Sequence, residues 1–361
     1  GQEQREYEFD WRMGATGYES PIPYAPGIVL DRTTKTVSYL GNEYRAKGSF
    51  IPMTTSNWAA DEAKLKLIGD DSLRQNLEAV TGVMGVGGAT VNLDALVSLR
   101  AFKGRRAGDI ASIQSFHSGW ALNVAHPFPC GGGEFVWDAT STASVIPGMV
   151  EQVTAEVNGR WKRKFSGAVH VTWTGAVPDG LTKCSAAVQT ALDNFTAVYI
   201  PPGKFVIDRA TSHPLLYTST VVDCGVKITQ EQKCLELYGA GEASLLISEP
   251  GVRYLALISQ YNVTDRSLHS FNMNGLYDRS GANFQAAITG IRQQSIRRCT
   301  THSLKISNFA FHCLAMYGGS NATTEPACLW NKAYTLYLDG GGQTSLQVYS
   351  AAYNGLVLPN E

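Results

Sequence analysis

Acid–base chemistry on a polar substrate would fall to carboxylates, and the second half of this chain holds Asp208, Asp223, Glu231, Glu236, Glu242, Glu249, Asp265, Asp278, Glu325 and Asp339. Hydrolysis of a glycosidic bond takes two such groups, about 5 to 5.5 Å apart for retention and about 6.5 to 9.5 Å for inversion. Eliminative cleavage instead takes a base beside a uronic carboxylate and a cation to stabilise the enolate. No two of these acids stand at a diagnostic spacing. Asp278 in "GLYDRSG", Glu325 in "ATTEPACLW" and Asp339 in "LYLDGGG" lie in turn-like segments beside aromatics, where exposed loops place functional groups. Each also reads as a solvated turn acid. Trp330, Tyr334 and Tyr337 offer ring faces for a groove, or core packing.

Other chemistries find less support. His117, His126, His170 and Cys130 match no common metal-ligand spacing, so no metal is expected. The seven cysteines are irregularly spaced without a CxxC pair and read as buried thiols made in a reducing cytosol. The glycine run "GVMGVGGAT" is followed by no Gly-Lys-Ser/Thr and fits no dinucleotide fingerprint, so no cofactor is expected. Thirty basic against thirty-one acidic residues exclude a phosphate-binding arm, and nucleic acid is not expected as a partner. No membrane insertion is expected: the longest uncharged stretch, 110–133, is broken by Pro127 and Pro129. The start "GQEQREYEFDW" has no basic region leading into an apolar one, so no secretory leader is expected.

The elements that would position these groups are mostly strands. With 44% apolar and 17% charged residues over 361 positions, the surface is covered largely by small polar residues, as in turn-rich β proteins of two or three domains. The stretch from Ser20 to Pro52 reads as a small β module. After it, "SNWAADEAKLKL" has a mixed period, and Leu73, Leu77 and Val80 suggest a two-turn helix. Gly131 to Gly133 suggest a turn feeding an aromatic-rich strand in a second β module. From Gly175, "PDGLTKCSAAVQTALDNF" reads as a short helix capped by Thr182 or Ser185, and "TAVYIPPGKFVID" as strand, turn and strand. Such a helix suits the open end of a strand stack. "SLKISNFAFHCLAM" from Ser303 aligns with "SLQVYSAAYNGLVL" from Ser345 at a 42-residue shift, matching Leu304 with Leu346 and Ile306 with Val348. An earlier echo puts Phe271 and Met273 at the same places, suggesting stacked rungs of about 20 residues or a small multiple.

Asp179-Gly180-Leu181-Thr182, Ala186-Ala187-Val188-Gln189, Val198-Tyr199-Ile200-Pro201-Pro202-Gly203 and "LELYGAGEASLLIS" together resemble the start of the pectate-lyase-like parallel β-helix of tailed-bacteriophage tailspikes. Such starts often read Asp-Gly-x-Thr-Asp-Asp-Thr, whereas Lys183 and Cys184 occupy the two Asp places here. "VSYLGNEYRAKGSF", "GGGEFVWD" and "GRWKR" occur in the order of a tailspike's virion-attachment region, so the resemblance covers nearly the whole chain. It implies a mainly β fold: small N-terminal attachment modules, then the start of a right-handed parallel β-helix, in a homotrimer. The expected divisions are 1–90 for virion binding, 91–172 for a second module or neck, and 173–361 for the cap and first rungs. The resemblance further implies a protein made in the host cytoplasm and carried on the virion tail. Its partners would be the tail, baseplate or other tailspikes on one side and a bacterial surface polysaccharide, bound or depolymerised, on the other. A noncatalytic adhesin or branching adaptor of the same architecture is the alternative. A secreted pectate-lyase-like enzyme would instead carry a signal sequence.

Few rungs precede Glu361, so the main catalytic carboxylates are expected beyond it. A variant lacking residues 1–172 is expected to be missing from purified virions by mass spectrometry; its incorporation would refute the attachment role.

Overall fold

The computed structural model describes residues 18–68, 90–119, 130–209, 211–214, 221–277, 289–317, 328, 330–339 and 344–349. The helix expected around Leu73, the glycine run up to Ala89 and His126 lie outside them. The chain divides into two compact units at Val91 and Asn92. In the first, strands Ile22–Pro23, Thr36–Tyr39, Asn42–Ala46 and Leu65–Leu67 form one sheet, and Val29–Leu30 pairs with Met53–Thr54. The mixed period of "SNWAADEAKLKL" has a simple cause. One α-turn, Trp58–Asp61, gives way to a 3-10 turn, Glu62–Lys64, and then to a strand. Asn57 caps the α-turn through the Ala60 N–H. Asp61 is fully buried and accepts from the Tyr24 hydroxyl and the Ser56 N–H, with Lys64 at 3.1 Å. Burial pushes its carboxyl up, but these partners outweigh burial and hold it down at about 2.

The second unit opens with a five-stranded sheet in the order Val150–Glu151, Arg160–Arg163, Gly131–Asp138, Ile110–Ser115, Thr90–Ala95. The three glycines begin the strand rather than a turn before it. A β-carbon at Gly132 would stand 2.3 Å from the Gln114 carbonyl oxygen, so the close strand approach itself demands glycine. Phe135, Trp137 and Trp161 fill this module's core. Arg163 ties the module to the segment around Trp173. Only 7% exposed, it donates to the carbonyls of Gly131, Gly132 and Gly148 at 2.6 to 2.7 Å and lies over the rings of Phe135 and Trp173. Burial lowers the guanidinium to about 10, partly offset by Glu151.

Residues 169–349 form two parallel sheets around one apolar lumen. Sheet one runs through strands Val169–His170, Ala197–Ile200, Glu236–Ser248, Ser267–Asn274, Thr300–Ser307 and Lys332–Asp339. Sheet two runs through Val221–Ile228, Ala256–Tyr261, Thr289–Gln294, His312–Tyr317 and Thr344–Tyr349, with Thr211–Pro214 antiparallel at its edge. Alternation along each strand sends Leu237, Leu268, Thr301 and Ala333 inward in one column, and Met273 and Ile306 inward in another. The helix Ser185–Asn194 closes the stack, burying Val188, Ala191 and Leu192. Gln189 completes the closure by using its side-chain amide as a strand. It accepts from the Lys227 N–H at 2.8 Å and donates to the Lys227 carbonyl at 3.0 Å, satisfying backbone groups of a sheet edge. The helix is capped neither by Thr182 nor by Ser185. Cys184 holds the cap position, and Asp208 accepts the Ser185 N–H from across the chain.

The repeat also differs from the 42-residue alignment. Met273 pairs with Ile306 as expected, but Leu304 pairs with Leu336 in sheet one while Leu346 pairs with Leu314 in sheet two. Both sheets present alternating apolar residues to one lumen, so their strands look alike in sequence. The step along sheet one is 33 residues from Ser267 to Thr300 and 32 from Thr300 to Lys332; in sheet two it is 23 from Thr289 to His312.

Replacing Arg163 with Met would leave three carbonyls without their donor, and is expected to cost about 3 kcal/mol. Chemical denaturation of the full chain checks this; an unchanged midpoint would remove Arg163 from its structural role.

Candidate functional site

The outer face of sheet one carries a ladder of rings. His170, Tyr199, Tyr238, His269, His302 and Tyr334 occupy one register column on successive strands, each beside buried inward neighbours. Centroid separations along the column run 4.9, 5.2, 5.4, 4.6 and 4.7 Å. From Tyr238 onward the planes lie within 11° of parallel. Rings stacked this way cover one another's faces, so the ladder serves as a rigid spine whose edges meet solvent. His269 is fixed further by Glu236, whose Oε1 is 3.0 Å from Nε2, and by the Ser270 hydroxyl 3.0 Å from Nδ1. His302 meets the Ser303 hydroxyl through Nδ1 at 3.2 Å. Burial lowers its pKa, with the neighbouring His269 acting in the same direction and Glu236 against it.

After His269, His302 and Tyr334 the strand passes through a left-handed residue: Ser270 at φ 60°, Ser303 at 54° and Thr335 at 50°. This bend turns the next outward positions away from the ladder and opens a groove beside it. Its volume is about 370 Å³, and it crosses four strands. Glu242, Asn272, Ser303, Lys305, Thr335 and Tyr337 line it, with Gly241 at its first strand. The inventory is a carboxylate, an ammonium, an amide, two hydroxyls and a phenol. Lys305 lies 5.2 Å over the Tyr337 ring, which remains 56% exposed. Donors, acceptors and an aromatic surface along several rungs suit a hydroxylated chain lying parallel to the stack. Glu242 is the one carboxylate among the lining residues, so the groove's described residues supply binding groups but no acid pair.

Asp339, of the three acids singled out from sequence, ends strand Lys332–Asp339 two positions beyond Tyr337, on the same exposed face. Asp278 and Glu325 lie outside the described residues. Tyr337 lines the groove, Tyr334 belongs to the ladder at 39% exposure, and Trp330 is 60% exposed; none of the three is core. Asp179 opens the strand Asp179–Lys183 and accepts from the Leu181 and Thr182 N–H groups at 2.8 Å. His117 meets the Gly175 carbonyl through Nε2, and His170 stands in the ladder. Among the described residues no cluster of three or more His, Cys, Asp or Glu could hold a metal. Six cysteines are buried free thiols and Cys130 is half-buried. Sequence reading singles out neither Glu242 nor Lys305, which carry no local signal, nor the ladder, whose members are 31 to 39 residues apart from Tyr199 onward. Its visible trace is the repeated pair His-Ser, His-Ser, Tyr-Thr at 269, 302 and 334.

Comparison with known proteins agrees with this architecture. Residues 93–166 match the family model for the phage tail protein small four-stranded β-sheet domain. No curated protein matches the chain. Among solved structures, the enzymatically active domain of bacteriophage CBA120 tailspike protein 2 is 16% identical with a TM-score of 0.55, covering 77% of this chain and 37% of that one. Full-length tailspike protein 2 from Escherichia coli O157:H7 bacteriophage CAB120 is 15% identical with a TM-score of 0.55, covering 92% and 39%. The tailspike gp49 from Acinetobacter baumannii bacteriophage Fri1, a capsular polysaccharide depolymerase, is 18% identical with a TM-score of 0.50, covering 68% and 42%. The fold is therefore mainly β and of the tailspike β-helix type. The chain spans about two fifths of the length of these relatives. No described helix is long and apolar enough to cross a membrane.

The depressed His302 pKa has a consequence for stability. An unfolded histidine titrates near 6.5, and the folded value lies below it, so the unfolded chain binds more protons in between. The resulting stability is present above pH 6.5 and is lost as pH falls through the folded value. His302→Phe keeps a ring in the stack and removes the titration. Its thermal midpoint is expected to fall less than the wild type's between pH 7.5 and 5; equal falls would show that His302 does not contribute. His170, depressed in the same direction by burial and Arg163, remains in both proteins.

Proposed function

We propose that the chain acts as a phage tailspike whose β-helix binds a bacterial surface polysaccharide along the outer face of sheet one. The observation that carries this reading is the groove itself. It spans four strands, mixes hydrogen-bond donors and acceptors, and presents a half-exposed tyrosine ring, which together suit a linear glycan. The phage-tail β-sheet match at 93–166 supports a place on the virion tail, with residues 1–90 as the virion-binding module, 91–172 as the neck, and 173–361 as the start of the receptor-binding domain. The full assembly in this reading is a homotrimer. Sedimentation of the full-length protein as a monomer would contradict it.

Depolymerisation is the finer proposal. One relative of similar fold is a capsular polysaccharide depolymerase, and the acids to test first here are Glu242 in the groove and Asp339 on the same strand face as Tyr337, then Asp278 and Glu325. The single carboxylate lining the groove favours a second reading, an adhesin or branching adaptor that binds without cutting. Release of oligosaccharide from capsule or lipopolysaccharide of a susceptible host separates the two. In either reading Tyr337→Ala and Lys305→Ala should each weaken binding to that polysaccharide roughly tenfold, a change of about 1.4 kcal/mol. Binding unchanged in both variants would move the site elsewhere.

A further inference from the structure

We infer that His302 decides whether Ser303 faces the groove as a hydrogen-bond acceptor or as a donor, and so sets which sugar groups the groove accepts at a given pH. The inference rests on the groove being the polysaccharide site. Ser303 joins the ladder to the groove through a side-chain hydrogen bond to His302. Its hydroxyl meets His302 Nδ1 at 3.2 Å, and the residue lines the groove two positions before Lys305 on the same strand. The adjacent rung supplies the template. Glu236 can only accept as a carboxylate, so neutral His269 carries its proton on Nε2 and receives the Ser270 hydroxyl proton at Nδ1. His302 stacks on His269 at 4.6 Å and 5°, in the same register and with the same serine on its C-terminal side. Neutral His302 in that tautomer occupies the Ser303 proton. The serine then offers only lone pairs to the groove, beside the Glu242 carboxylate, which suits the hydroxyls of a neutral sugar.

Protonation reverses the bond. Nδ1–H then donates to Ser303 Oγ, and the hydroxyl proton turns toward the groove next to Lys305, where it can meet a carboxylate on an acidic sugar. The groups that act on this imidazole are Tyr238, His269 and Tyr334 in the column and Glu236 beside His269. Lys305 and Lys332 stand on the flanking outward positions, with Glu242 and Tyr337 across the groove. His302 is thus a positioning residue that acts through Ser303.

Magic-angle-spinning ¹⁵N spectra of histidine-labelled full chain test the inference without any glycan, with the His302 signals assigned by their loss in His302→Phe. The expected result is an unprotonated Nδ1 at pH 8 and two protonated nitrogens once the pH is lowered through the His302 titration, followed in the same spectra. A protonated Nδ1 at pH 8 overturns it. As functional readout, calorimetry with hexagalacturonate as acidic probe and maltohexaose as neutral probe should show the acidic-to-neutral affinity ratio rising severalfold as pH falls from 7.5 through that titration, and Ser303→Ala should flatten that rise. A ratio independent of pH, or a rise that survives in Ser303→Ala, also overturns the inference. Failure of both probes at every pH counts against the groove as the glycan site, while the tautomer still decides the inference.

Discussion

The outer face of this β-helix depends on a backbone constraint: the three successive strands Ser267–Asn274, Thr300–Ser307 and Lys332–Asp339 of sheet one turn through a left-handed residue at the same register. Ser270, Ser303 and Thr335 all hold φ between 50° and 60°, a region costly for residues other than glycine, asparagine and aspartate. Isolated, such a bend costs on the order of 1 kcal/mol or more. Parallel stacking offsets that cost, because a rung that bent elsewhere would send its Leu, Phe, Met or Ile residues out of the lumen. The bend then does two things. It aligns His269, His302 and Tyr334 in the ladder, and it sets the following outward residues at an angle that makes the groove.

The ladder and the contacts around Arg163 both stiffen the unit. In the five-stranded module, one buried guanidinium replaces a carboxylate partner with three carbonyls and two aromatic faces. Beside it, Gly148 lies so close to Trp173 that a β-carbon there would overlap the Trp173 carbonyl oxygen, and its φ of 76° already favours glycine. Phe165 and Trp173 extend the ring contacts from this module to His170, the first member of the ladder. Rings are thus in contact from Phe165 to strand Lys332–Asp339.

The stack and its cap were legible in sequence because inward residues alternate along the strands of sheet one and because Pro201-Pro202-Gly203 punctuates the two strands that follow the cap helix. The period was not. Connections of different length give steps of 33, 32 and 23 residues, so no fixed shift aligns all rungs, and strands of different sheets mimic one another. The tyrosines at 334 and 337 were found as candidates on composition, yet only the register separates their roles: one stacks, the other lines the groove. Glu242 stayed hidden because a carboxylate in "GAGEAS" looks like any turn acid until the bulged pairing of strand Glu236–Ser248 brings it beside Lys305 and Tyr337.

Sheet one's outer face therefore combines a rigid spine with a trough across four strands, lined by polar groups, Leu304, Leu336 and the Tyr337 ring. Hydroxyl-radical footprinting of the full-length protein with capsular polysaccharide from a susceptible host tests this most directly. The account predicts protection of Lys305 and Tyr337 on the groove, with Tyr199 at the cap end of the ladder and Tyr261 on sheet two left unchanged. Protection confined to sheet two, with Tyr337 still fully reactive, would contradict it.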